Sequence, residues 1–161
     1  MIIGIDQSFT NNAFCIFNNL GELVDFDVIK SKKVTDDTSY EERILEITEA
    51  LFEKLERHNI RHISLEGLSM AKNSITARPL AGLFYYLCIE FKKRGISYSV
   101  IPPTTVKKFA VKGNAKKEEM FEVLPQDIKE QFLERGFKKT TGLFDLTDAY
   151  FIGKYTLRHE I

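Results

Sequence analysis

The stretch IIGIDQSFTNNAFCIFNNLGELVDFDVI, residues 2–29, decides the fold. Ile2, Ile3 and Ile5 form a short apolar run that stops at Asp6. Ala13 to Phe17 form a second run, and Asn18-Asn19-Leu20-Gly21 is a turn signal. Leu23 to Ile29 then reads as a third strand, with charges interleaved among apolar residues. Runs this short, bounded by turn residues, are strands rather than helices, and their close succession predicts an antiparallel meander.

Outward from that meander the periodicity changes. Ser39-Tyr40-Glu41-Glu42 has capping-box spacing, with Ser39 as cap and Glu42 reaching back. Ile44, Ile47, Leu51, Phe52 and Leu55 recur at helical spacing, while Glu41, Glu46, Glu49, Glu53 and Glu56 point mostly the other way. Arg61 to Glu66 alternates as a fourth strand with Ile63 and Leu65 inward. Thr76 to Lys93 reads as a second helix ended by Gly95, and Ile96 to Ile101 as a fifth strand stopped by Pro102-Pro103. The remainder is helical or looped, closing with a helix from about Leu143 to Arg158. The order β-β-β-α-β-α-β-α-α predicts an α/β chain, a five-stranded mixed sheet with helices on both faces. A length of 161 residues suits one domain over 1–161, with no repeat and no flexible linker.

Composition excludes several classes. Thirteen Phe and six Tyr supply core material that a disordered tail lacks. Lys+Arg and Asp+Glu number 23 each, so a nucleic-acid partner requires the positive charge to be segregated. It is segregated. Between Lys92 and Lys117 there are eight Lys/Arg and no acid; between Asp36 and Glu56 there are eight acids against Arg43 and Lys54. The Lys92-Lys93-Arg94 group is also what a helix C-terminus favours. Cys15 and Cys88 lie far apart in apolar surroundings, which speaks for reduced thiols rather than zinc or a disulfide. The start, MIIGIDQSF, has no basic segment followed by a long apolar one, and no stretch approaches 18 apolar residues. A cytoplasmic protein without a membrane partner is expected. His58 and His62 stand four apart, but one closes a helix and the other sits in a strand, so they share no metal; His159 is assigned no role.

Four acids stand where a helix or strand face alone does not call for them. Asp6 and Glu66 end apolar strands. Asp145 and Asp148, three apart, share one face of an otherwise apolar helix containing Leu143, Phe144, Ala149, Phe151 and Ile152. If the four meet, each like-charged pair near 4 Å repels by roughly 4 kcal/mol at an effective dielectric of about 20. A marginally stable domain does not tolerate several such pairs unless carboxyls protonate or divalent cations intervene. An all-oxygen set suits Mg²⁺ or Mn²⁺ rather than Zn²⁺. Taken singly, each acid has a simpler reading: Asp6 as a turn residue, Asp145 as a helix cap, Glu66 as the partner of a lysine.

Across nearly the whole chain, and in the same order, four segments resemble the RuvC family of Holliday-junction resolvases. They are GID at 4–6, LEG-x-SMAKN at 65–73, PPTTVKKFAVKGNAKK at 102–117 and FDLTDAY at 144–150. GID also opens the ATPase lobes of actin and sugar kinases, but those need two lobes and this length provides one. The resemblance implies an RNase H-like fold, a homodimer on four-way DNA junctions, and symmetric nicking with two Mg²⁺ per site, Mn²⁺ substituting. It implies products with 5′-phosphate and 3′-hydroxyl ends. Carried over by position, the family's metal-binding, catalytic acids fall on Asp6, Glu66, Asp145 and Asp148. Its two active-site lysines fall on Lys107 and on Lys117 or Lys116. DNA contacts are expected from Lys72, Asn73, Lys107, Lys108, Lys112, Lys116 and Lys117.

Three departures from the bacterial pattern stand out. Gln7-Ser8 replaces Pro-Gly after the first acid. Ser69 replaces an aromatic before the MAKN segment, where a stacked base gains roughly 1–3 kcal/mol. The spacing to the last acidic pair is longer, through Gln126 to Lys139. This divergence resembles phage-encoded relatives, working in a bacterial or phage-infected cell, on junctions and related forks and flaps. The alternatives are an RNase H-type ribonuclease on RNA–DNA hybrids and a non-catalytic junction-binding protein; the latter would be expected to have lost an acid, and all four are present.

Overall fold

A computed structural model describes residues 1–31, 39–68 and 77–161. Five strands form one sheet: β1 (Ile2–Asp6), β2 (Asn12–Phe17), β3 (Leu23–Ile29), β4 (His62–Glu66) and β5 (Ser97–Ile101). Their spatial order is β3-β2-β1-β4-β5. The β1–β2 and β2–β3 pairs are antiparallel, which is the expected meander, and β1–β4 and β4–β5 are parallel. β1 and β2 are buried throughout, as central strands covered on both faces must be.

Six α-helices complete the described residues: α1 (Tyr40–Leu55), α2 (Ala77–Lys93), α3 (Pro103–Ala110), α4 (Lys117–Glu122), α5 (Gln126–Glu134) and α6 (Leu143–His159). α1 starts as its sequence predicts. Ser39 Oγ accepts from the Glu42 amide at 3.2 Å, and the Glu42 carboxylate accepts from the Ser39 amide at 2.8 Å. The segment between β5 and α6 resolves into three short α-helices and a 3₁₀ turn (Lys139–Thr141), and proline sets up two of the helices: Pro103 opens α3 and Pro125 precedes α5. Asp145 lies inside the first turn of α6 rather than capping it. The cap is Gly142 at φ 109°, a conformation that glycine adopts without strain.

Alternate side chains of β1 and β2 build two cores. Ile3, Ile5, Phe14 and Ile16 face α1 and α2 with Ile47, Leu51, Leu83, Leu87 and Phe91. Ile2, Ala13, Cys15 and Phe17 face α6 with Leu146, Ala149, Tyr150 and Ile152. α6 lies unusually close to the sheet. A Cβ on Gly4 would strike the Ala149 carbonyl and the Gly153 main chain, and a Cβ on Gly153 would strike the Phe17 ring. That approach sets the start of α6 beside the end of β1. The acidic side chains of α1 are exposed, on the helix layer opposite α6. Both cysteines are buried free thiols. Among the described residues no helix is long and apolar enough to cross a membrane.

Candidate carboxylate site

Parallel pairing brings two of the predicted acids together. Ile5 is in register with Leu65, so Asp6 and Glu66 follow side by side at the C-terminal edge of the sheet. Both point to the α6 face. Asp6 shares the parity of Ile2 and Gly4, and Glu66 that of Ser64, whose hydroxyl accepts from Thr156 Oγ1 of α6 at 2.6 Å. Asp145 and Asp148, in the first turns of α6, complete the group.

The four acids lie within electrostatic range of one another. Asp6 is only 8 % exposed. Burial raises its carboxyl well above the usual range, and the charges of Glu66, Asp148 and Asp145 push it further, with Lys117 opposing. Glu66 is raised to about 7, by burial first and then by Asp148, against the pull of Lys107 and Lys117. Asp148 is raised to about 6, again chiefly by burial, with Asp145 adding to it and the same two lysines opposing. Without a cation, this corner of the fold holds protons rather than four full charges. Among the described residues no three such side chains stand close enough together to form a ready ion cage. The donor chemistry nevertheless fits a hard divalent cation: every candidate donor is a carboxylate, in a partly dry corner where like charges repel.

The basic segment divides into unequal parts. Lys107 of α3 and Lys117, the first residue of α4, are the lysines whose charges lower the carboxyl pKa values of this group. Lys116 precedes α4 and uses its main-chain amide on Glu119 at 2.8 Å. Lys112 is ion-paired with Glu119 at 2.6 Å. Lys108 and Lys116 are exposed. Lys72 and Asn73, with Ser69 and the rest of the MAKN segment, lie outside the described residues. The histidines are apart as expected: His58 lies 3.6 Å from Asp25, and His62 sits between the hydroxyls of Ser97 and Ser99, 2.9 Å from each.

Two residues of the β1–β2 turn touch this group without having been singled out as site residues. Gln7 Nε2 donates to the main-chain carbonyl of Glu66 at 2.7 Å. Asn11 Nδ2 makes a long contact of 3.4 Å to Asp145 Oδ2, and the Asn11 amide donates to Ser8 Oγ at 2.9 Å. The only sequence signal for them is the Gln7-Ser8 departure from the bacterial pattern.

A mixed sheet of this order, with acids at the adjoining ends of its two central parallel strands and on the helix crossing them, defines a protein of the RNase H-like class. The family model for the crossover junction endodeoxyribonuclease RuvC matches residues 2–126, and the chain belongs to that family. Solved structures agree on the fold. Thermus thermophilus RuvC is similar at a TM-score of 0.73 and 19% identity, over 99% of this chain and 96% of that one. The same organism's RuvC in complex with a Holliday junction substrate is similar at 0.71 and 19% identity, over 99% and 91%. The fowlpox virus resolvase in complex with Holliday junction DNA is similar at 0.66 and 18% identity, over 98% and 99%. A comparison with curated proteins finds no match.

Proposed function

We propose that this chain, as one domain over 1–161, is a structure-selective endonuclease that resolves four-way DNA junctions, with Asp6, Glu66, Asp145 and Asp148 as its metal-binding, catalytic acids. The observation that carries the reading is that these four acids, from two strand ends and one helix, lie within electrostatic range of one another in a chain of the RuvC family. Asp6 and Glu66 hold one side of the site on the rigid sheet edge, and Asp145 and Asp148 hold the other on α6. These carboxylates would bind two Mg²⁺, or Mn²⁺ in their place. Bound divalent ions supply the Lewis acidity that makes water nucleophilic near neutral pH and takes charge from the scissile phosphate and its leaving oxygen.

The chain's own groups do the rest. Lys107 and Lys117, already within electrostatic range of the acids, pair with phosphates and draw the DNA backbone to the site. Lys108, Lys112 and Lys116 extend that cationic surface. In-line attack that expels the 3′-oxygen leaves 5′-phosphate and 3′-hydroxyl ends. Two copies related by a two-fold axis would nick a junction symmetrically. Tyr85 and Ile89, one turn apart on α2 and 61% and 49% exposed, offer apolar surface for such a contact. The work belongs where branched DNA arises, in the cytoplasm of a bacterium or a phage-infected cell.

The test is cleavage of labelled four-way junctions, set beside forks, flaps and an RNA–DNA hybrid. Asp6→Asn is expected to keep junction binding and lose nicking by at least about a thousandfold, some 4 kcal/mol of barrier. Nicking by this variant at the wild-type rate refutes the site, and preferential cleavage of the hybrid refutes the substrate.

A further inference from the structure

The turn between β1 and β2 carries a cost that needs an explanation. Gln7 is 6% exposed, and half of its amide is spent: Nε2 donates to the Glu66 carbonyl, while Oε1 is buried with no partner among the described residues. Asn12, where the turn enters β2, is fully buried, and among the described residues both its amide atoms are unpaired. An unpaired buried acceptor costs about 1–3 kcal/mol. An apolar side chain at position 7 would avoid that cost, so the bond that Gln7 does make is what the position gains from glutamine.

That bond has a specific consequence. The β1–β4 ladder runs in register to Ile5 and Leu65, one residue short of both acids. Beyond it, the end of β4 is held on its far side by the Gly67 amide donating to the Ile101 carbonyl at 2.8 Å. On the near side it is held by Gln7, the residue next to Asp6. One side chain thus ties the main chain carrying Asp6 to the main chain carrying Glu66, across the gap that a hydrogen-bonded ladder would otherwise leave.

We infer that Gln7 is a positioning residue of the carboxylate site, setting the spacing of Asp6 and Glu66 for a divalent cation through the Glu66 carbonyl. This rests on the reading of the four acids given above. Groups that orient ligands from behind are worth about ten- to a hundredfold in metal affinity. Because Gln7 acts through the Glu66 main chain, its loss is expected to act on affinity for the metal and not on the chemical step.

The test is Mn²⁺ binding to the metal-free protein, read by calorimetry, beside the Mg²⁺ dependence of nicking. Gln7→Met keeps the volume and removes the donor. Gln7→Asn keeps the amide but is one methylene too short, and it decides the matter if Gln7→Met does not fold. Either folded variant is expected to bind Mn²⁺ about ten- to a hundredfold more weakly, to need correspondingly more Mg²⁺ for half-maximal nicking, and to regain a near wild-type rate at saturation. Wild-type Mn²⁺ affinity in a folded Gln7 variant, with binding lost in Asp6→Asn, overturns the inference and leaves the site standing. Wild-type Mn²⁺ affinity in Asp6→Asn overturns the site itself. A lowered rate at saturating Mg²⁺ with unchanged Mn²⁺ affinity also overturns it, because Gln7 would then act on chemistry.

Discussion

Replacing Glu66 by glutamine should make the metal-free protein more stable at pH 8 than the wild type. An ordinary glutamate titrates at 4.5, and Glu66 in the fold titrates at about 7, mainly because burial penalises its charge. Between those values the folded chain keeps a proton that the unfolded chain has lost. Stability therefore falls as pH rises through that window, and is flat for this group below 4.5 and above about 7. Once both states are ionised, the cost is about 3 kcal/mol. For a chain of this size that corresponds to about 6–12 °C in melting temperature. Glutamine has nearly the same shape and no charge, and its neutrality also relieves Asp6, whose carboxyl is raised second by Glu66. Urea or thermal unfolding in EDTA at pH 5 and pH 8 measures this. The wild type should lose stability between the two, while Glu66→Gln, which keeps only the losses from Asp6 and Asp148, loses less and is the more stable at pH 8. Mg²⁺ at a hundred times its dissociation constant should close most of that gap, because it adds about 2.7 kcal/mol to the protein that binds it. A wild type equally stable at both pH values, and no less stable than Glu66→Gln at pH 8, would refute the claim that the acids stand close and underpaired.

Lys107→Ala and Lys117→Ala should each weaken junction binding evenly across sequences and lower the slope of log K against log salt by about 1. Lys112→Ala, whose ammonium is engaged by Glu119, should change that slope less; equal slopes in all three variants would contradict the division of roles. Gly4→Ala should cost about 3 kcal/mol in chemical unfolding and reduce nicking, because the new methyl displaces the start of α6 with Asp145 and Asp148. Gly113→Ala, with ordinary contact distances around it, should stay within about 1 kcal/mol and serves as the control. Ser39→Ala should cost about 1 kcal/mol through loss of the α1 capping box, without altering Mn²⁺ affinity.

Much of the site was legible because its acids break local rules. Asp6 and Glu66 interrupt apolar strands, and Asp145 and Asp148 mark the face of a helix that otherwise packs on a sheet. The register sets Asp6 beside Glu66, and Gly142 rather than Asp145 takes the α6 cap, neither of which the spacing of the acids could show. The region from 103 to 134 was less legible. α3, α4 and α5 are six to nine residues long, too short for a hydrophobic period to repeat. Gln7 could not be read at all as a contact of Glu66, since the two are 59 residues apart and meet only through strand pairing.

By itself the amino-acid sequence determined the elements whose signals are local: the meander of β1 to β3, the capped α1, the alternating β4, and the apolar α6 with its two acids. It also determined that positive charge is concentrated before Lys117, because charge segregation is a property of the chain order. Which of those charges stand near the acids is decided by the tertiary structure. Parallel pairing of β1 with β4 brings two strand ends to one edge, and the Gly4–Gly153 approach lowers α6 onto them. Only then do Lys107 and Lys117 come within range of the acids while Lys112 turns to Glu119. The physical reason is distance. Periodicity, capping and turn chemistry act over a few residues, whereas mutual repulsion among carboxylates, and the desolvation that raises their pKa values, exist only after segments far apart in sequence have packed together.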